Sequence, residues 1–447
     1  MMRLHIPVGS LVVLSAFAPL AFAPPAVGQQ LPPIRQLGAV VGRSSEPLTS
    51  VAGVRATAGG VLVNDLASRR VLLFDSSLTT VVVVADSTSA TANAYSGRFG
   101  GLIPYRGDST LFVDANSMSM LVIDPAGKVA RVMSVPRSED AAAFAGGPLG
   151  SAGYDPAGRL VYRSGGLRFT RSAAAHGGGT GALQLPQLPD SAAITRIHLE
   201  TRTVDTVAFI KIPKVNMQMN RADDGTITMT SEVNPLPIVD DWAVLPDGSI
   251  AIVRGHDYHV DWIAPDGARR STPKIPFEWQ RLTDEDKAAF IDSVKAARER
   301  LQASGGDRAG SVPGMLGAGA PSGAQTMIVM RDGAGGGGGG AGSAPGNVST
   351  RAPQVSFVPP DQLPDYKPPF FAGAVRADSE GHLWIRTIPT RAIAGGPVYD
   401  VVNRQGELVE RVQLPQGRSV AGFGAGGVVY LVSRDGDKTV LERARAK

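Results

Sequence analysis

The most concentrated polar chemistry in the chain is His256-Asp-Tyr-His-Val-Asp261, where two imidazoles and two carboxylates fall within six residues. Such a set can ligate a divalent ion, or divide the roles of general acid and general base. The histidines stand three apart across a turn-prone stretch rather than four apart on a helix, so the helical zinc-protease pattern is absent. His256, His259 and Asp261 are the candidate metal ligands, or acid and base, of a metal-assisted hydrolase or lyase. The simpler reading is a polar turn whose side chains bond one another, and a single unsupported cluster favours it.

Other patterns carry less. Gly150-Ser-Ala-Gly153 lacks the Gly-x-Ser-x-Gly spacing of a serine hydrolase elbow. Arg106-Gly-Asp108 falls where two strands must turn, and Asn347-Val-Ser349 is a chance sequon unless the host glycosylates such proteins. The glycine run Gly335–Gly340 has no following Lys-Ser/Thr and is no phosphate loop. His198 and His382 read as packed or edge residues of strands.

Composition narrows the classes further. Of 447 residues, 43% are hydrophobic, which suffices for a sizeable core, while 54 Gly and 33 Pro demand many turns. A net charge of +4 with no basic block gives nucleic-acid binding no support. The absence of cysteine excludes disulfides, thiol nucleophiles and cysteine-ligated metals. At the N-terminus, Arg3 and His5 precede an apolar stretch from Ile6 to Ala23, and Ala26-Val27-Gly28 supplies small residues for signal-peptidase cleavage after Gly28. Residues 1–28 are therefore expected to be a signal peptide and residues 29–447 one exported domain, periplasmic or secreted. Retention as an anchor is the alternative.

The elements that must position any site emerge on aligning the chain with itself. Gly60-Val-Leu-Val-Asn-Asp65 is followed by Val71-Leu-Leu-Phe-Asp75, and Thr110-Leu-Phe-Val-Asp114 by Met120-Leu-Val-Ile-Asp124, the aspartates ten apart in both copies. Ser249-Ile-Ala-Ile-Val-Arg254 and His259-Val-Asp-Trp-Ile263 repeat the pattern. Short apolar runs with a repeat in the forties specify hairpin-rich blades rather than helices. Asp124-Pro-Ala-Gly127, Asp155-Pro-Ala-Gly158, Pro246-Asp-Gly248, Pro265-Asp-Gly267 and Arg404-Gln-Gly406 supply the tight turns. The reading is an all-β, six-bladed β-propeller with blades at about 49–84, 99–136, 149–212, 238–275, 370–414 and 418–445. The last blade lacks a fourth strand, and residues 34–41 are expected to supply it and close the ring.

On these residues the chain resembles the six-bladed propellers of the NHL-repeat and TolB-like type, Val61-Leu-Val-Asn-Asp65 with Arg70-Val-Leu-Leu-Phe74 being the closest match. The resemblance implies a fold. Families of this type include lactonases, lyases and interaction modules, so it selects no function, and the Glu, Asn and Asp calcium set of lactonase-like propellers is not assignable here.

Superposing the blades aligns Asp65, Asp114, Arg163, Arg254, Arg386 and Arg434 at the close of each second strand. In a closed ring they approach one mouth of the channel, joined by Asp240 and Asp241 ahead of Trp242. Such residues can clamp an anion, or pair with one another between blades. Two insertions interrupt the ring: residues 164–190, read as a surface loop, and 276–369. The second opens with the capping sequence Thr283-Asp-Glu-Asp286 and a helix over 282–303 with Phe290, Val294, Ala297 and Leu301 on one face, and continues into a Gly-rich stretch, 304–350, expected to be disordered. Docking on the propeller's flank, a partner surface and a lid are the readings of that helix. The expected function is non-catalytic binding of a small anionic ligand or a protein partner through one face, by a monomer needing no cofactor. The metal enzyme and an envelope scaffold are the alternatives.

Overall fold

Apolar runs of four or five residues suit strands covered on both faces, and they become the middle strands of six antiparallel sheets. The structure, a computed structural model, describes residues 31–88, 95–96, 100–145, 150–164, 189–221, 227–303, 354–391, 393–436 and 438–446. The expected signal peptide over residues 1–28, most of the 164–190 insertion and the Gly-rich stretch lie outside the described residues.

From inner to outer strand, blade one comprises Val51–Thr57, Gly60–Asp65, Arg70–Phe74 and Val81–Ala85. Blade two comprises Gly100–Pro104, Thr110–Asp114, Ser119–Ile123 and Val129–Ser134. Blade three comprises Gly153–Tyr154, Arg159–Arg163, Ser191–His198 and Val204–Lys211. Blade four comprises Asp241–Val244, Ile250–Arg254, His259–Ile263 and Arg269–Ser271. Blade five comprises Val375–Ala377, Leu383–Arg386, Val398–Val402 and Leu408–Gln413. Blade six has Arg418–Gly424, Val428–Asp435 and Lys438–Arg445, and its outermost strand is the N-terminal Val40–Arg43, antiparallel with Val40 opposite Ala444. The chain is a six-bladed β-propeller closed by its N-terminal segment.

That segment does more than the sequence suggests. The expected single strand over 34–41 is two strands: Ile34–Gln36 lies parallel to the outer strand of blade five, Ile34 opposite Arg411, and Val40–Arg43 completes blade six. Between them Leu37 is buried among residues of both blades, and the Gly38 N–H donates to the Arg445 carbonyl. A chain anchored at Leu37 must change sheets there.

The core is a ring of six seams, one between each pair of neighbouring blades. Val63 of blade one shares a cluster with Tyr430 of blade six, Val71 with Phe112 of blade two, and Leu111 with Tyr162 of blade three. Val161 meets Trp242 of blade four, Val253 meets Leu383 of blade five, and Trp384 meets Val429 of blade six. Burying each large side chain contributes about 1.5–3 kcal/mol, so the hydrophobic effect holds each blade to both neighbours. Turn chemistry keeps the register: Gly127 and Gly158 take φ of 80° and 87°, where a Cβ is strained. The Arg106–Asp108 turn also crosses seams, Asp108 pairing with Arg55 of blade one and Arg106 with Tyr154 and Glu200 of blade three.

The connections before and after blade four build a second layer. Val215–Arg221 and Ile227–Val233 form a hairpin, and Gln354–Phe357 adds to it in parallel, Thr230 opposite Gln354. The helix Asp284–Ala303 begins with a reciprocal cap, the Asp286 N–H donating to Thr283 Oγ1 and the Thr283 N–H to Asp286 Oδ2. Its Ile291 and Val294 are buried against Val233, Leu236, Val358 and the blade-five residue Ile388. Of the expected stripe, Val294 is buried and Phe290 and Ala297 half-buried, and the side chain of Leu301 lies outside the described residues; the face formed with Ile291 packs on the insertion's own sheet and the flank of blade five. No described helix is long and apolar enough to cross a membrane.

Candidate functional site

Antiparallel order puts the end of each second strand on the face where one blade hands over to the next. Asp65, Asp114, Arg163, Arg254 and Arg386 are each the last residue of a second strand, and Arg434 stands one residue before the end of its own. All six therefore share one face, though their environments differ.

The two carboxylates are committed within their own blades. Asp65 is buried and accepts the N–H groups of Thr49 and Ser50 at 3.0 and 2.9 Å and Arg70 Nε at 3.0 Å. Asp114, also buried, accepts the Ser96 N–H and Oγ at 2.9 and 2.6 Å and Ser117 Oγ at 2.9 Å. Each ties the chain entering its blade to the second strand. Arg434 is exposed.

Blade four carries the densest charge network. Arg254 Nε donates to Asp261 Oδ2 at 2.8 Å and Nη1 to Asp240 Oδ2 at 2.7 Å. Burial works against the Arg254 charge, but hydrogen bonds from it to both carboxylates raise its pKa. Asp261 is opposed by burial too, yet Ser271 and Arg254 hold it below the usual carboxylate range. His259 lies between two carboxylates, Nδ1 at 2.7 Å from Asp257 and Nε2 at 3.3 Å from Asp261, while His256 is exposed. The structure thus joins His259 and Asp261 but not His256. These three do not bring ligand atoms within 4.8 Å of one another; among the described residues, Asp378, Glu380 and His382 do so. That set lies on the opposite face, where Asp378 accepts from Trp384 Nε1 and Glu380 accepts the Gly427 N–H.

Asp241 is where three blades meet. It opens the inner strand of blade four, fully buried, and accepts the Val375 N–H of blade five at 2.8 Å and the Trp242 N–H at 3.0 Å. Arg163 of blade three supplies the nearby positive charge, and burial nevertheless raises the Asp241 carboxyl to about 6. Arg386 reaches the same place through its backbone, its N–H donating to the Ala374 carbonyl beside Val375. Burial lowers the pKa of both Arg163 and Arg386.

Sequence reasoning missed a second buried acid at the same seam. Asp400, in the third strand of blade five, accepts Tyr258 Oη of blade four at 2.9 Å and faces Arg411 Nε at 3.4 Å. Burial raises it to about 6 against both partners. Its signal was a lone carboxylate inside the apolar run Val398-Tyr-Asp-Val-Val402.

No protein-family model and no curated protein matches the chain. Similar solved structures include a gluconolactonase from Xanthomonas campestris, 12% identical over 92% of this chain and 99% of that one, TM-score 0.37. The calcium-binding protein regucalcin from Agrobacterium tumefaciens is 11% identical over 92% and 97%, TM-score 0.37. A virginiamycin B lyase from Staphylococcus aureus is 9% identical over 92% and 98%, TM-score 0.36. No site residue passes from these structures to this chain.

Proposed function

We propose that the protein is an exported, non-catalytic binding propeller that takes a small anionic ligand at the mouth formed by blades three to five. The observation carrying this reading is the meeting at Asp241. Arginines end the second strands of three successive blades on the face where Asp241 opens blade four, Arg163, Arg254 and Arg386; Arg163 lies near Asp241, and the first and third are partly desolvated. A guanidinium removed from water gains more from a carboxylate or phosphate than an exposed one does, and its planar fork favours two-point contact. Arg254 is neutralised by Asp240 and Asp261 and serves to hold the blade-four turn in place. Export rests on the N-terminal apolar stretch with its small-residue cleavage pattern.

Calorimetry with a panel of small carboxylates and phosphates tests the reading. One anion class should bind, and Arg163→Gln and Arg386→Gln should each weaken it about tenfold or more, the effect of losing one charge-assisted contact. No binding across the panel, or variants that bind like the parent, removes the proposal. A tightly held divalent metal, with hydrolytic activity lost in His259→Ala, would replace it by the metal-enzyme reading.

A further inference from the structure

Two adjacent acids stand at the start of blade four, and they meet different surroundings. Asp240 accepts Arg254 Nη1 at 2.7 Å and the N–H groups of Lys211 and Gly255 at 2.9 and 3.2 Å, so a guanidinium in direct contact balances its charge. Asp241 is 4% exposed and accepts backbone N–H groups, those of Val375 and Trp242 at 2.8 and 3.0 Å. Arg163 of blade three supplies the positive charge that acts on it, and Asp241 in turn favours the charge of Arg163. The other charged groups about this junction are Arg254 with Asp240 in blade four, and Arg386, whose N–H donates to the Ala374 carbonyl in blade five.

An anion held by Arg163 enters the field of this carboxyl. Ionised, Asp241 repels the anion and competes for the same guanidinium; protonated, it leaves Arg163 to the guest. Like charges brought together away from water disfavour ionisation of the acid, so guest and proton favour each other. The effect is reciprocal: the factor by which protonation tightens the anion is the factor by which the anion tightens the proton. Burial already raises the Asp241 carboxyl to about 6, against Arg163 and the backbone donors, which sets the exchange in the neutral range.

We propose that the mouth takes up its anion together with a proton from solvent, carried on the carboxyl of Asp241. The inference rests on the anion-binding reading of that mouth and adds a coupling to it.

Sulfate and oxalate are the probes, because both keep a fixed charge across the neutral range. Calorimetry on the full chain, in buffers of different ionisation enthalpy, counts the protons taken up. Above about pH 6, binding should take up about one proton and affinity should fall by up to about tenfold per pH unit; below it, uptake should vanish and affinity level off. Asp241→Asn should bind without uptake and with an affinity independent of pH. Should that variant fail to fold, infrared difference spectra of the parent decide, a protonated-carboxyl band appearing as the anion binds at neutral pH. His259→Gln, which replaces the imidazole held between Asp257 and Asp261 in the same blade, should keep the uptake. Binding without proton uptake overturns the coupling and leaves the anion site standing. Uptake that persists in Asp241→Asn, or is lost in His259→Gln, puts the proton elsewhere and overturns the proposal. No binding of either probe removes the anion site and the coupling with it.

Discussion

Raising the pH from about 5 to about 7.5 should weaken the seam between blades four and five. Asp241 and Asp400 lie on opposite sides of that seam and each bonds across it, to the Val375 N–H and to Tyr258 Oη. Both titrate at about 6 in the folded chain, against an ordinary value of 3.8. The folded state therefore holds these protons more tightly than the unfolded state. The resulting stabilisation is complete below the unfolded value and is lost as pH rises through about 6. The full difference is about 3 kcal/mol per group, and roughly 1.4 kcal/mol of it disappears between about pH 5 and about pH 7.5. The groups facing the two acids are Arg163 and the backbone N–H groups for Asp241, and Tyr258 and Arg411 for Asp400. Carboxylates held low, such as Asp247, Asp261 and Asp365, act with the opposite sign and in more acidic solution. Denaturant titration across this range should show stability falling with rising pH, and Asp241→Asn or Asp400→Asn should each remove its own share of the slope. A flat or rising profile, or Asn variants that keep the parental slope, would refute the reasoning.

Two further outcomes follow from the ring. Asp65→Ala strands the N–H groups of Thr49 and Ser50 and the Arg70 guanidinium beside a buried site; it should cost about 3–5 kcal/mol, read by denaturant unfolding. Removing residues 31–43 strips the added fifth strand from blade five and the outermost strand from blade six. The shortened protein should lose its cooperative melt and associate through the bared edges, measured by calorimetry and light scattering.

The second and third strands of each blade were legible because a strand covered on both faces must be continuously apolar, as in Leu111-Phe-Val113, and because turn glycines punctuate it. The second-strand alignment was legible for the same reason: Asp65, Asp114, Arg163, Arg254 and Arg386 do occupy equivalent ends. Which of them are spent internally was not, since the partners of Asp114 include Ser96, 18 residues away on a connecting stretch with no pattern of its own. The insertion sheet was hidden because Ile227–Val233 pairs with Gln354–Phe357 across a gap of more than a hundred residues. The helix was readable from its cap and stripe, which are local.

The N-terminal segment has a consequence for how the chain reaches its folded state. Ile34 waits for Arg411 and Val40 for Ala444, so residues made early are the last to find their places. Contacts this distant in sequence pay their loop-closure entropy late and slow folding. Until the final forty or so residues are present, blades one to four can pack in order, but the ring stays open and its terminal sheet edges stay available to other chains. A chain crossing a membrane from its N-terminus would carry that unpartnered segment ahead of it throughout. The two short strands at residues 34–43 can therefore engage only after their partners at 411–413 and 442–444 have arrived.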